Sequence, residues 1–370
     1  MDMKLCCYFN YPPLYRASIY KAIDEVFDTQ FYFGREVVEG EISGIAKLDG
    51  SIFKRQPIEF ENKVLFGKFL WRTKAVTLAL KPYDTFLITG DVSYSYIPFL
   101  LLCRLFRKRV YAWGHGFKIR KGISRMGQDF MMYNLTGFFT YGENGRARMI
   151  ELGYPADKIH VIYNSLQAKI ENPISYQSNI YTAHFKNTNP TIIFIGRLTK
   201  NKRLDKIVTL LERLEQEYRV LCNVVFVGDG AYKDELKSLT CRLSLSNRVW
   251  FYGECYDEER NCELLYNADL CLSPGNVGLT ALHAMQYGTP VISQDDFESQ
   301  MPEYETIVPY KTGLLFRKND YEDCALKIKK WLDFAMGKRE RIRQYCYDMI
   351  NGKWNSDYQI KIFERVFNNE

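Results

Sequence analysis

Short apolar runs alternate along this chain with amphipathic stretches, and the alternation occurs twice in succession. The first series reads KLCCYF, TQFYFG, DTFLITG, RVYAWG, GFFTYG and KIHVIYN; the second reads PTIIFIGR, NVVFVGDG, RVWFYGE, ADLCLSP, TPVIS and TGLLF. A strand that is apolar throughout is covered on both faces, as in a parallel sheet with helices on either side. Helical text such as RLDKIVTLLERLEQEY separates the runs. The expectation is an α/β chain of two doubly wound, Rossmann-like units in tandem, for which 370 residues suffice. From Asn164 to Pro190 the chain is rich in Asn, Ser and Thr and weak in periodicity. Residues 171–190 are therefore expected to link an N-terminal domain, 1–170, to a C-terminal one, 191–350. The tail, 351–370, carries Tyr358, Ile360, Ile362, Phe363 and Val366 on one helical face.

Several classes are excluded at once. With 24 Gly, 12 Pro and no repeated short word, the chain is neither collagen-like nor disordered. The longest charge-free stretch, Leu270 to Gln294, holds too many polar residues to span a bilayer, and the start lacks the basic and apolar segments of a secretory signal. Ten cysteines without a C-x-x-C pair favour reduced thiols and a cytoplasmic location. Charge is uneven: residues 1–180 hold 24 basic and 17 acidic residues, and Lys63 to Arg125 holds 13 basic residues against Asp84 and Asp91. That basic segment, interleaved with Phe66, Phe69, Leu70, Trp71, Phe106 and Phe117, points to an anionic membrane surface as partner and a peripheral position on it. A plain solvated basic face is the alternative. Nucleic acid is not expected, since no recognised binding motif accompanies the charge.

Ligands of open parallel sheets bind where the strands end, so residues just after each apolar run matter most. After TIIFIG come Arg197, Lys200, Lys202 and Arg203, a cation cluster placed for a phosphate. After ADLCLSP, a Gly-containing loop runs into a helix starting near Gly278. Backbone N–H groups at Gly278, Leu279 and Thr280 would point at an anion there. A diphosphate between the two motifs would be met from two sides. His115, flanked by glycines directly after RVYAWG, and Arg16, after the first strand, are further candidates; Arg16 would hold an acceptor or a phosphate.

The blocks FIGRLTKNKRLDKIV, VVFVGDGAYKDEL, VWFYGE, LSPGNVGLTALHAMQYGTPVIS and PEYETIVPYKTGLLF resemble the retaining GT-B glycosyltransferases of the family-four type, also called glycosyl transferases group 1. In the first half the likeness is weaker, carried by TYGENGRARMIELGYPADKIHVIYNS and WGHGFKIR. The resemblance implies a GT-B architecture, two Rossmann-like domains facing across a cleft, with the last helix packing back on the first domain. It also implies that Arg197 and Lys202 contact the donor pyrophosphate and that Asn276, Val277, Gly278, Leu279 and Thr280 bind the donor through their backbone. Gly253 and Glu254 would lie near the base, and His115 would reach the donor sugar. One departure stands out: the family usually carries two Glu, separated by seven residues, where this chain has Gly275 and His283. His283 retains hydrogen-bonding capacity for a ribose hydroxyl; Glu303 is the expected partial substitute for the carboxylate lost at Gly275.

No Asp-x-Asp and no Cys/His set with ligand spacing occurs, so no metal or other cofactor is expected. A G-x-S-x-G elbow and a complete G-x-G-x-x-G fingerprint are also missing. The expected activity is transfer of a sugar, with retention, from a UDP- or GDP-sugar to a glycan or lipid-linked glycan, in assembly of a bacterial capsule, O-antigen or lipopolysaccharide. A GT-B-fold sugar-nucleotide epimerase and a non-catalytic nucleotide-sugar-binding subunit are the alternatives.

Overall fold

The computed structural model describes residues 3–35, 46–65, 69–117, 122–167, 176 and 178–369. The chain forms two compact units, Met1–Ala168 together with Asn355–Glu370, and Lys169–Trp354.

In the first unit the strands are β1 (Lys4–Phe9), β2 (Asp28–Gly34), β3 (Ile58–Phe60), β4 (Asn62–Leu65), β5 (Phe69–Arg72), β6 (Thr85–Thr89), β7 (Arg109–Gly114), β8 (Gly137–Thr140) and β9 (Ile159–Val161). Seven of them make a parallel sheet in the order β3-β2-β1-β6-β7-β8-β9, while β4 and β5 form a separate antiparallel hairpin. The second unit contributes β10 (Thr191–Ile195), β11 (Asn223–Val227), β12 (Val249–Gly253), β13 (Leu270–Ser273), β14 (Val291–Gln294) and β15 (Gly313–Phe316), in the order β12-β11-β10-β13-β14-β15. In both sheets the chain starts in the middle, winds to one edge, returns and winds to the other, which is the doubly wound order. Every apolar run expected to be a strand is one. Each unit is thus a Rossmann-like, doubly wound α/β domain, as expected.

The physical cause is plain in β10 and β11. Every residue of both is buried, paired in parallel register from Thr191 with Asn223 to Ile195 with Val227. The intervening helix Asp205–Tyr218 buries Ile207, Val208, Leu210, Leu211 and Leu214 and ends at Arg219 in the left-handed conformation. Gly228, where β11 ends, lets the neighbouring loop close: a Cβ there would lie 2.1 Å from the Gly196 carbonyl oxygen.

The helix Ser356–Asn369 belongs to the first unit. Phe363 meets Trp113 and Phe139 at ring-centroid distances of 5.4 and 4.7 Å, and Phe367 meets Tyr111 at 5.0 Å. Arg109 Nη1 donates to the Phe367 carbonyl at 2.7 Å, and Gln359 Nε2 to that of Tyr163 at 2.8 Å.

Several expectations need correction. Within 171–190, the helix Ile180–Phe185 packs into the second unit, with Tyr181 buried and its hydroxyl donating to Leu264 O at 2.7 Å, so this part is not linker. The basic segment is not one face: Arg72 is buried against Asp91, Arg125 pairs with Asp129, Arg109 is turned toward Phe367, and Phe117 is core. Phe66 and the stretch Lys118–Lys121 lie outside the described residues. The helix Tyr96–Leu105 and its end carry an exposed stripe, Ile97, Leu101, Leu105 and Phe106, accompanied by Arg104 and Arg107, while Lys63, Lys74 and Lys81 are exposed elsewhere in the segment.

Candidate functional site

β10, β13 and β14 are neighbours and parallel, so the loops leaving their C-terminal ends share one edge of the second unit. The loop after β10 presents Arg197, exposed, then turns tightly at Lys200–Lys202. After β13 come Pro274 to Leu279; after β14 come Asp295 to Met301 and the turn Pro302–Thr306.

Hydrogen bonds tie the three loops together. The Gly275 N–H donates to Lys202 O at 3.0 Å, and Lys202 Nζ donates to Asn276 O at 2.7 Å. Gln300 braces the middle loop, its Oε1 accepting from the Val277 N–H at 2.8 Å while its Nε2 donates to Ser293 Oγ and Gln294 O, both at 2.8 Å. Thr280 Oγ1 donates to Ile195 O at 3.0 Å, fixing the start of the helix Thr280–Gln286 to the end of β10. With the Val277 N–H taken, the N–H groups of Gly278, Leu279 and Thr280 have no backbone acceptor among the described residues.

Gly275 is where the two turns meet. A Cβ built there would lie 2.2 Å from Asn201 O and 2.9 Å from Lys202 Cα. The backbone of the Lys200–Lys202 turn occupies the space any side chain at 275 would need, so the site has a lysine turn where the family's pattern has a carboxylate.

Lys202 is half-buried, and that burial pushes its ammonium down to about 8; Glu303 opposes the shift and Arg197 adds to it. Glu303 is itself buried. Arg197, Lys202, Asn276 to Thr280 and Glu303 are thus gathered at one edge. Gly253 and Glu254 lie along the same edge at the end of β12, two strands away from β10.

His283 has a partner that sequence reasoning missed. Its Nε2 lies 3.0 Å from Glu258 Oε1, which also accepts from Gln286 Nε2 at 3.1 Å and the Tyr287 hydroxyl at 2.6 Å. Burial alone would raise the Glu258 carboxyl, but the hydrogen bonds from His283 and Tyr287 outweigh it and hold the group down at about 2. One nitrogen of His283 is therefore committed inside the protein. Glu258 reads in sequence as an ordinary first-turn acid behind the N-capping Asp257, and nothing local signals its reach to residues 25 to 29 positions on. Gln300 gives no sequence signal either.

In the first unit His115 follows β7 and is exposed, its ring 4.9 Å from that of Tyr141; Arg16 follows β1 in the short turn Leu14–Arg16. Among the described residues no group of three or more His, Cys, Asp and Glu is placed to hold a metal ion, and no helix is long and apolar enough to cross a membrane.

Residues 179–349 match the family described as Glycosyl transferases group 1. Among curated proteins the chain is similar to the sulfoquinovosyl transferase SQD2 of Arabidopsis thaliana, 26% identical over 43% of this chain and 29% of that one. It is also 26% identical to the putative glycosyltransferase EpsD of Bacillus subtilis, over 48% of this chain and 46% of that one. The chain thus spans less than half the length of these relatives. Its fold is similar to that of Anabaena HepE, solved with UDP, with a TM-score of 0.73 at 16% identity and full coverage of both chains. The lipopolysaccharide outer core galactosyltransferase WaaB gives a TM-score of 0.72 at 16% identity, again over both whole chains.

Proposed function

We propose that this chain, which resembles the group 1 glycosyltransferases and has their GT-B fold, transfers a sugar with retention from a nucleotide-sugar donor to a glycan or lipid-linked glycan in bacterial surface polysaccharide assembly. The observation that carries the reading is the convergence of Arg197, Lys202 and the turn at Gly278 to Thr280 on one edge of the second unit. Two cations and a set of backbone donors suit a diphosphate. UDP, the nucleotide bound in HepE, is the first donor base to test, ahead of GDP.

The chemistry such an edge supports is front-face displacement. The acceptor oxygen forms a bond to the anomeric carbon as the bond from that carbon to the diphosphate oxygen breaks, and the acceptor's proton passes to a phosphate oxygen of the leaving group. Charge growing on the diphosphate is met by Arg197, Lys202 and backbone N–H groups, without a metal. A thermal-shift screen of UDP-, GDP-, ADP- and CMP-sugars, followed by product analysis with and without EDTA, tests the reading. Isomerised free sugar nucleotide would mean an epimerase, binding without turnover a partner subunit, and activity lost to EDTA and restored by Mg²⁺ a metal-dependent enzyme.

Lys202 gives the donor site a pH dependence whose sign is fixed. In the free protein it loses its proton at about pH 8, and a bound diphosphate favours the charged form. Binding above that pH must therefore take up a proton, and affinity for UDP falls as pH rises through 8, by at most about tenfold per unit. Calorimetric titrations from pH 7 to 9.5 in two buffers of different ionisation enthalpy should show the uptake, and Lys202→Arg should flatten the profile. Equal affinity at pH 7 and 9.5 in the wild type would remove Lys202 from the phosphate site.

The exposed stripe Ile97, Leu101, Leu105 and Phe106, with Arg104 and Arg107 beside it, favours a membrane-held acceptor. Apolar residues can enter the headgroup layer while each cation contributes on the order of 1 kcal/mol at an anionic surface. The wild type should co-sediment with anionic liposomes more than neutral ones, and less at high salt. A variant carrying Leu101→Ser, Leu105→Ser, Arg104→Ser and Arg107→Ser should stay in solution; if it sediments like the wild type, the acceptor is better sought among soluble molecules.

A further inference from the structure

Glu258 is held more firmly than an exposed carboxylate needs. It opens the helix Glu258–Asn267 shortly after β12, and about half of its side chain is exposed. Its Oε1 takes three donors from one neighbouring helix: His283 Nε2 at 3.0 Å, Gln286 Nε2 at 3.1 Å and the Tyr287 hydroxyl at 2.6 Å. An ionised carboxylate only accepts, so the His283 nitrogen that meets it carries the proton. Oε2 has Asn261 Nδ2 at 3.4 Å, a long contact from an amide that lies nearer to Cys255 O, at 3.2 Å. One oxygen is saturated, and the other keeps lone pairs to offer.

Other exposed glutamates of the chain are treated differently. Glu59 meets Lys47 at 2.6 Å, Glu215 meets Arg248 at 2.6 Å and Glu235 meets Lys200 at 2.9 Å. Among the described residues no lysine or arginine is ion-paired with Glu258, whose recorded partner is His283. Its charge rests on the three donors, which keep the group ionised far below neutral pH and also fix where it points. A carboxylate oriented from behind, with its outer oxygen open, is a preorganised acceptor for a group arriving from solvent.

Position identifies that group. The His283 N–H donates to Leu279 O at 2.9 Å, so the turn that begins among the N–H groups of Gly278 to Thr280 closes on the residue that grips Glu258. One helical turn is about 5 Å, close to the span from a nucleotide's first phosphate to its ribose. The ribose of a nucleotide whose phosphates sit on Lys202 and those N–H groups therefore reaches Glu258. We propose that Glu258 reads the ribose of the donor, its Oε2 accepting from the vicinal 2′ and 3′ hydroxyls, and that it selects ribonucleotide donors over their 2′-deoxy counterparts. Hydroxyl donors on adjacent carbons suit a fixed carboxylate oxygen, and such charge-assisted bonds are short and strong. His283 is then a positioning residue: one ring nitrogen is turned inward, and it acts on the ribose through the carboxylate. This assignment rests on the donor reading of the second unit and adds to it a group that tells one class of nucleotide from another.

The test is calorimetric titration of the full chain at pH 7 with UDP and with 2′-deoxy-UDP, two probes that differ in one hydroxyl. Wild type should bind UDP at least tenfold more tightly, because a site arranged to accept from a hydroxyl rejects the analogue that lacks it. Glu258→Gln should bring the two affinities to within about threefold of each other, chiefly by weakening UDP. Should that variant not fold, Glu258→Asp carries the same expectation, since its carboxylate is drawn back by one methylene. Glu259→Gln, the neighbouring acid on the same helical turn, should keep the wild-type ratio. A wild type that binds UDP and 2′-deoxy-UDP equally overturns the ribose assignment and leaves the donor reading in place. So does a folded Glu258→Gln protein with the wild-type ratio, the result expected if Glu258 only joins two helices. A wild type that binds neither nucleotide removes the donor reading, and this assignment with it.

Discussion

Arg197→Ala and Lys202→Ala are each expected to lower turnover by roughly a hundredfold or more, with the fold retained. On the function proposed above, each removes a cation from the place where negative charge grows as the diphosphate leaves, and a well-placed donor of that kind is worth about 3 kcal/mol in a preorganised site. The loss should fall chiefly on kcat, because the charge develops in the transition state rather than in the bound donor. The two variants should differ in a second respect. Arg197 is exposed, so its removal costs the fold little, whereas Lys202 Nζ also holds Asn276 O and its removal loosens the loop before Gly278. Lys202→Ala should therefore weaken UDP binding more than Arg197→Ala does. Near-normal kcat in both folded variants would refute the phosphate assignment.

Gly275→Ala should damage both stability and donor binding, and Gly275→Glu, which restores the family's usual residue, should do no better. The added Cβ meets backbone rather than a side-chain end: Asn201 O at 2.2 Å and the Lys202 carbonyl carbon at 2.9 Å. Either the turn at Lys200–Lys202 or the loop at 275 must move, at a cost of roughly 1–3 kcal/mol and roughly 2–10 °C in melting temperature. Because that turn carries Lys202, UDP affinity should fall at least tenfold. Gly352→Ala is the matched control, since it lies in the helix Arg339–Lys353 with nothing within 4 Å of a new Cβ, and should be neutral or slightly stabilising. A Gly275→Glu protein as stable and as active as the wild type would mean that the turn yields freely and that the missing carboxylate is no structural necessity.

The strands were legible because burial on both faces leaves a local trace: five consecutive buried residues in β10 look the same in sequence as in space. The hairpin of β4 and β5 left none, being two short antiparallel pieces outside the main sheet. Strand-end reasoning placed Arg197, Lys202 and the 276–280 loop at one edge because parallel neighbours share an edge. It could not see what holds them. Gln300 and Glu258 act across separations of 23 to 29 residues, and the reason for glycine at 275 lies in a turn more than seventy positions earlier. Arg72 misled for the complementary reason: a cation counts as surface until the fold supplies Asp91 and the Tyr96 hydroxyl.

The helix Ser356–Asn369 has a consequence for how the protein is made. It fills the sheet face of the first unit with Phe363 and Phe367, yet on the ribosome it emerges only after all of Lys169–Trp354. At roughly 5–20 residues per second, translation of that stretch takes on the order of ten to forty seconds, during which Tyr111, Trp113 and Phe139 lack the cover that Phe363 and Phe367 give them. The nascent first unit is thus an aromatic surface waiting for its closing piece, and a chaperone that shelters it, or a slow codon run upstream of Ser356, acts on a clock set by the length of the second unit.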